Sequence, residues 1–125
     1  MMVKGVGTDL VEVARIERSL SKHGDRFAER ILSAKEYSGY KESNKPTDYV
    51  AKRFAVKEAV SKALGTGFSA GITWKDIELE HLESGQPYVV LHAKAKAKME
   101  EFGAEGVYIS LSDEAGLVSA FAVLG

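Results

Sequence analysis

The chain contains no cysteine. That excludes disulfides, thiolate metal sites and a cysteine nucleophile, and it is compatible with a reducing cytoplasm. No uninterrupted apolar run approaches the roughly 20 residues that a bilayer-spanning helix needs. The N-terminus also lacks a signal-peptide pattern, because Lys4 is followed by Asp9 and Glu12 with no long apolar core between them. Net charge is nearly absent, at −1, which argues against global nucleic-acid binding but leaves room for a local basic patch. The three histidines, His23, His81 and His92, are scattered and show no metal-ligand spacing. The expectation is a cytoplasmic protein that uses neither membrane nor nucleic acid.

What is present fits one globular domain over residues 1–125, with 45% hydrophobic and 28% charged residues. Val3 to Asp9 reads as a first strand. Val13, Ile16 and Leu20 form one stripe of a helix from about Val11 to Lys22, stopped at Gly24. Ser33-Ala34-Lys35-Glu36 has the spacing of a capping box, which predicts another short helix. Pro46 suits the first turn of a long helix ending near Leu64, with Gly65 after it. The period then changes. Ile77 and Leu79 alternate with Glu78 and Glu80 as a strand, and Glu83 to Gln86 turns into a returning strand, Tyr88 to His92. Ala93 to Phe102 is a helix closed by Gly103. Val107 to Ser112 and Leu117 to Leu124 are strands joined by a turn at Asp113 to Gly116. This order predicts an α+β domain whose mostly antiparallel sheet carries its helices on one face.

The long helix holds the candidate chemistry. Ala55, Val56, Ala59, Val60 and Ala63 share one side, and Phe54, Glu58, Ser61 and Lys62 share the other. Glu58 and Lys62 are spaced as an ordinary surface ion pair, with the glutamate first. Asp9 alone could simply cap the helix that follows it. Gly65-Thr66-Gly67 follows a helix instead of preceding one and lacks the Gly-Lys-Ser/Thr ending, so it is not a P-loop. A helix C-terminus repels phosphate. An anion near Gly65 would need Lys62, Arg53, Lys57 or a divalent metal to hold it. Two carboxylates with phosphate oxygens and water make a typical Mg²⁺ site. Arg15, Arg18 and Lys22 form a basic stripe opposite Val13, Ile16 and Leu20, and Arg26 and Arg30 continue it around Phe27. That stripe reads either as a solvated face balanced by Glu12, Glu17, Asp25 and Glu29, or as a docking surface for an acidic partner with Phe27 as an exposed apolar anchor.

These segments together resemble the holo-acyl-carrier-protein synthases, the small bacterial 4′-phosphopantetheinyl transferases. The resemblance is carried by Gly5-Val6-Gly7-Thr8-Asp9, by Phe27 to Leu32, and by Arg53-Phe54-Ala55-Val56-Lys57-Glu58-Ala59-Val60-Ser61-Lys62-Ala63. Gly65-Thr66-Gly67, Gly85-Gln86-Pro87-Tyr88 and Ser110-Leu111-Ser112-Asp113 follow in order. One position departs, since many members carry histidine where this chain has Asp113. The resemblance implies two similar α/β halves, a homotrimer with active sites between subunits, and an enzyme that supports fatty acid biosynthesis. Coenzyme A would be the donor, an acyl carrier protein the acceptor, and adenosine 3′,5′-bisphosphate the product. It also implies that Asp9 and Glu58 bind Mg²⁺, with Glu58 as base, directly or through a water, and Lys62 at the leaving group. Arg53, Ser61, Lys62, Gly65 and Thr66 would hold the coenzyme. Arg15, Arg18, Lys22, Arg26, Phe27 and Arg30 would dock the carrier. The same residues also admit a transferase for secondary-metabolism carriers, a non-catalytic module binding an acidic protein, and a regulator that binds coenzyme A without turnover.

Overall fold

The computed structural model describes residues 2–125. Strand β1 (Gly5–Glu12) leads directly into α1 (Val13–His23), followed by α2 (Asp25–Ile31), α3 (Ala34–Glu42) and α4 (Pro46–Ala63). A single 3₁₀ turn, Trp74–Asp76, precedes β2 (Ile77–His81) and β3 (Pro87–Leu91). Helix α5 (Ala93–Glu101), β4 (Val107–Glu114) and β5 (Leu117–Leu124) complete the chain.

The α+β class and the antiparallel pairing match expectation, but the strands divide into two sheets, not one. One has the order β1-β5-β4, and the other is the β2-β3 hairpin. The terminal strands close the larger sheet, with Gly5 opposite Leu124 and Glu12 opposite Leu117. Helix α4 lies across its inner face, against Val11, Val118, Ala120, Ala122 and Leu124. The outer face is bare: Val6 is 57% exposed, Leu10 64%, Tyr108 54% and Phe121 42%. No described helix is long and apolar enough to cross a membrane.

Local signals explain most boundaries. Ser33 and Glu36 form both bonds of the capping box. Pro46 stands in the first turn of α4. The turn expected at Asp113 to Gly116 is shorter, because β4 runs on to Glu114 and only Ala115 and Gly116 turn the chain. Both have positive φ, 53° and 76°, as a tight hairpin turn requires. Helix α2 was not expected as a separate element. Gly24, at φ 61°, ends α1 and at once opens α2, so a single stop signal hides a helix–helix corner.

Candidate functional site

Glycine sets the position of β1 against α4. A Cβ at Gly5 would lie 2.1 Å from the Ala63 carbonyl oxygen, and one at Gly7 would lie 2.0 Å from that of Ala59. Backbone therefore packs on backbone, which only glycine on the strand allows, with alanines opposite. Asp9 is the next residue in the same row of the strand. It is thereby pressed to the flank of α4 where Glu58 and Lys62 emerge.

Lys62 Nζ donates to the Thr8 carbonyl at 2.9 Å and reaches Asp9 Oδ1 at 3.4 Å. Asp9 Oδ2 is buried and has no hydrogen-bond partner. A buried carboxylate oxygen left unpaired is costly, and it marks a place where a ligand or ion is expected. Half-buried Glu58 stands beside it. Burial pushes its carboxyl above the usual range, Asp9 adds to that, and Lys62 and Arg15 oppose it. Asp9 and Glu58 thus lie near enough for each charge to act on the other, with Lys62 in contact with Asp9. Among the described residues no group of three or more histidines, cysteines or carboxylates converges on a metal position. A pair of carboxylates without nitrogen or sulfur ligands suits a hard ion whose other positions are filled by phosphate and water.

The structure separates the remaining expected residues. Gly65 and Thr66 lie three and four residues beyond Lys62, with Gly65 at φ 80° and its N–H donating to Lys62 O at 2.9 Å. Ser61 is buried, and its hydroxyl donates to Glu58 O at 2.7 Å. Arg53 does not join the carboxylates in this chain. It stacks on the Tyr49 ring at 3.5 Å and lines a cavity of about 240 Å³ with Lys35, Glu36, Glu80 and His81, its Nε without a hydrogen bond but 3.9 Å from Glu36 Oε2. Lys57, a candidate cation for an anion near Gly65, is fully buried and bonded to Glu36, so it is not free for that task. Asp113 is exposed, and its carboxylate lies 3.7 Å from Lys52 Nζ.

The basic stripe borders two open hollows. One, of about 570 Å³, is lined by Lys22, His23, Arg26, Phe27, Glu29 and Arg30. The other, of about 430 Å³, lies among Ala14, Glu17, Arg18, Ser21 and Lys22. Arg15 connects this surface to the carboxylates, since its guanidinium sits 5.2 Å over the Phe54 ring and its charge is felt by Glu58. Phe27 differs from expectation. It is half-buried, with its ring 6.5 Å from Phe54, because α2 folds it back against α4. It forms the floor of the hollow instead of a projecting anchor.

Sequence reasoning missed Glu36 as anything beyond a helix cap. Its second oxygen accepts from Leu79 N, 43 residues away, and no local pattern announces that bond. It also missed the bare outer face of β1-β5-β4, where Leu117 and Phe121 of β5 stand exposed.

Residues 5–118 match the model of the family described as the 4′-phosphopantetheinyl transferase superfamily. A holo-[acyl-carrier-protein] synthase of Halorhodospira halophila is 46% identical over 123 residues, covering 98% of each chain. Another, from Hydrogenovibrio crunogenus, is 43% identical over 122 residues, or 98% of this chain and 96% of the relative. The crystal structure of holo-[acyl-carrier-protein] synthase from Neisseria meningitidis is similar at a TM-score of 0.94, with 40% identity and 99% of each chain covered. The Helicobacter pylori synthase, solved in complex with coenzyme A, gives 0.82 at 32% identity over 96% of this chain and 99% of that one.

Proposed function

Because the chain belongs to the 4′-phosphopantetheinyl transferase superfamily, as a holo-[acyl-carrier-protein] synthase, we propose that Asp9, Glu58 and Lys62 carry the transfer. The group moved is the 4′-phosphopantetheine of coenzyme A, and the acceptor is a serine of an apo-acyl carrier protein of fatty acid biosynthesis. The observation that carries this reading is the carboxylate pair beside Lys62, with Asp9 Oδ2 buried and unpartnered.

Asp9 and Glu58 are the residues to hold Mg²⁺. When bound, the ion offsets negative charge on the pyrophosphate oxygens. Glu58 takes the proton from the serine hydroxyl. The serine oxygen bonds to the phosphorus next to the pantetheine, and the bond from that phosphorus to the bridging oxygen breaks. Adenosine 3′,5′-bisphosphate leaves with its new charge paired by Lys62. Gly65 and Thr66, at the turn that ends α4 just past Lys62, hold the nucleotide part, and Ser61 braces the helix backbone beneath Glu58. No covalent enzyme intermediate is needed.

Carrier proteins of this kind are acidic. Arg15, Arg18, Lys22, Arg26 and Arg30 steer and seat them, with Phe27 flooring the hollow. The working assembly is a homotrimer with active sites between neighbours. Two features support it. The outer face of β1-β5-β4 exposes Val6, Leu10, Tyr108 and Phe121. Arg53 lines a cavity of its own, where it can serve coenzyme bound against an adjacent copy.

The test is to incubate purified apo-carrier with coenzyme A, Mg²⁺ and this protein and weigh the carrier. The expected result is a mass gain of one phosphopantetheine with equimolar adenosine 3′,5′-bisphosphate, abolished by chelation. An unmodified carrier, whether from fatty-acid or secondary-metabolism pathways, overturns the proposal. Relative rates on the two carrier kinds decide the acceptor class.

A further inference from the structure

Helix α4 buries residues on most sides, among them Arg53, Phe54, Lys57, Ala59, Val60 and Ser61. A helix buried over most of its circumference, apart from the Glu58–Lys62 flank, has no single apolar stripe to orient it, so specific contacts must set its rotation about its own axis. Two sets of such contacts exist. On one side Gly5 and Gly7 receive the carbonyls of Ala63 and Ala59. On another, Lys57 runs into the interior and donates to Glu36 Oε1 at 2.6 Å and to Trp74 O at 2.9 Å. Glu36 also accepts from Ser33 N and from Leu79 N, each at 2.9 Å. One carboxylate thus ties α3, β2 and α4 together, and through Lys57 it reaches the 3₁₀ turn. At about 100° per residue, Glu58 and Lys62 project between the glycine-contacting face and the Lys57 face.

We infer that the Lys57–Glu36 pair is a positioning device for the transfer, fixing the rotation of α4 so that Glu58 and Lys62 face Asp9. The inference rests on the assignment of those three residues to the reaction. Apolar replacements of similar volume often match a buried ion pair in stability, and the best-attested use of such a pair is to specify one arrangement. Reacting groups must be held within about 0.5 Å and 10–20°. The side-chain bonds of Lys57 and Glu36 run to each other, to Trp74 O and to the Ser33 and Leu79 amides, and none goes to Asp9, Glu58 or Lys62, so both act on the transfer through the placement of Glu58 and Lys62.

The experiment uses Lys57→Met, which keeps the aliphatic stem and removes the ammonium. Glu36 then retains the amides of Ser33 and Leu79, with Arg53 Nε 3.9 Å away. A folded variant is expected to lose about tenfold or more in kcat, since a displacement near 1 Å can cost about 10²-fold. Its KM for the carrier should stay within about twofold, because the basic surface on α1 and α2 does not use the pair. The Glu36→Gln/Lys57→Met double variant should show the same loss and not the product of two losses, as expected for one coupled device. Wild-type kcat in either folded variant overturns the inference. If both variants are unfolded at 25 °C, the pair is a stability element only and the inference is equally overturned. Glu58→Gln measured alongside separates the two levels. Wild-type turnover there removes the site assignment itself, whereas wild-type turnover confined to the Lys57 variants removes only the positioning role.

Discussion

Helix α4 presents two lysine–carboxylate pairs, and they could hardly differ more. Lys57 and Glu36 meet at 2.6 Å with side chains only 0% and 2% exposed. The Glu36 oxygens are further occupied by backbone amides. Lys62 and Asp9 are 3.4 Å apart, 51% and 15% exposed, and Asp9 keeps a buried oxygen with nothing to bond. The residue chemistry is the same on both sides of one helix. Satisfaction separates them. A fully partnered pair has no capacity left for a ligand, so it can only hold structure. A loose pair beside a second carboxylate retains charge and unfilled acceptors, which is what an incoming cation and phosphate require.

The largest break in this contrast comes from Glu58→Gln. Transfer should fall by about 10²–10⁴-fold, measured as the rate of carrier mass gain. The unfolding midpoint at neutral pH should be equal to or above that of the wild type. The sign follows from the carboxyl's raised pKa: the folded chain binds that proton more tightly than the unfolded chain, so ionisation at neutral pH costs stability that glutamine recovers. Wild-type turnover at saturating Mg²⁺ would place Glu58 with the structural residues.

Gly7→Ala attacks the geometry behind the open pair. Its Cβ would meet the Ala59 carbonyl at 2.0 Å, and that clash is with backbone. A loss of about 1–3 kcal/mol or more is expected by urea titration. Unchanged stability would mean that the strand does not need this approach to α4.

Arg26→Glu tests whether the basic hollow belongs to the open side of the molecule. KM for the carrier should rise about tenfold, or about 1.4 kcal/mol, with KM for coenzyme A little changed. Equal effects on both substrates would count against docking there. Ser33→Ala is the mildest change, trimming the sealed side at the helix cap while leaving the Ser33 N–H on Glu36. It should cost about 1 kcal/mol of stability, read from the thermal midpoint. No loss at all would make the capping box redundant.

Much of the fold was readable because its signals are local. The capping box, Pro46, and the alternation in Ile77 to Glu80 and Val107 to Ser112 each act within a few residues of where they appear. Helix α2 escaped because Gly24 serves two helices at once. The division into two sheets escaped because pairing between β1 and β5 joins residues more than a hundred positions apart, and strand pattern carries no address for its partner. At the site, Asp9, Glu58 and Lys62 were legible as residues, while their meeting was not. Spacing along the chain leaves Phe27 on the basic stripe, and only the corner at Gly24 that starts α2 turns it inward against Phe54.

The sequence by itself determined the material of this protein: which segments are helix or strand, which residues are charged, and the family motifs they compose. Those are properties of spacing and side-chain chemistry, and they need no long-range contact. Only the tertiary structure decided that Lys57 would be sealed against Glu36 while Lys62 stays beside Asp9. The two lysines differ by little more than their angle around one helix. Which of them is buried depends on what the rest of the chain, folded back from distant positions, places against each face.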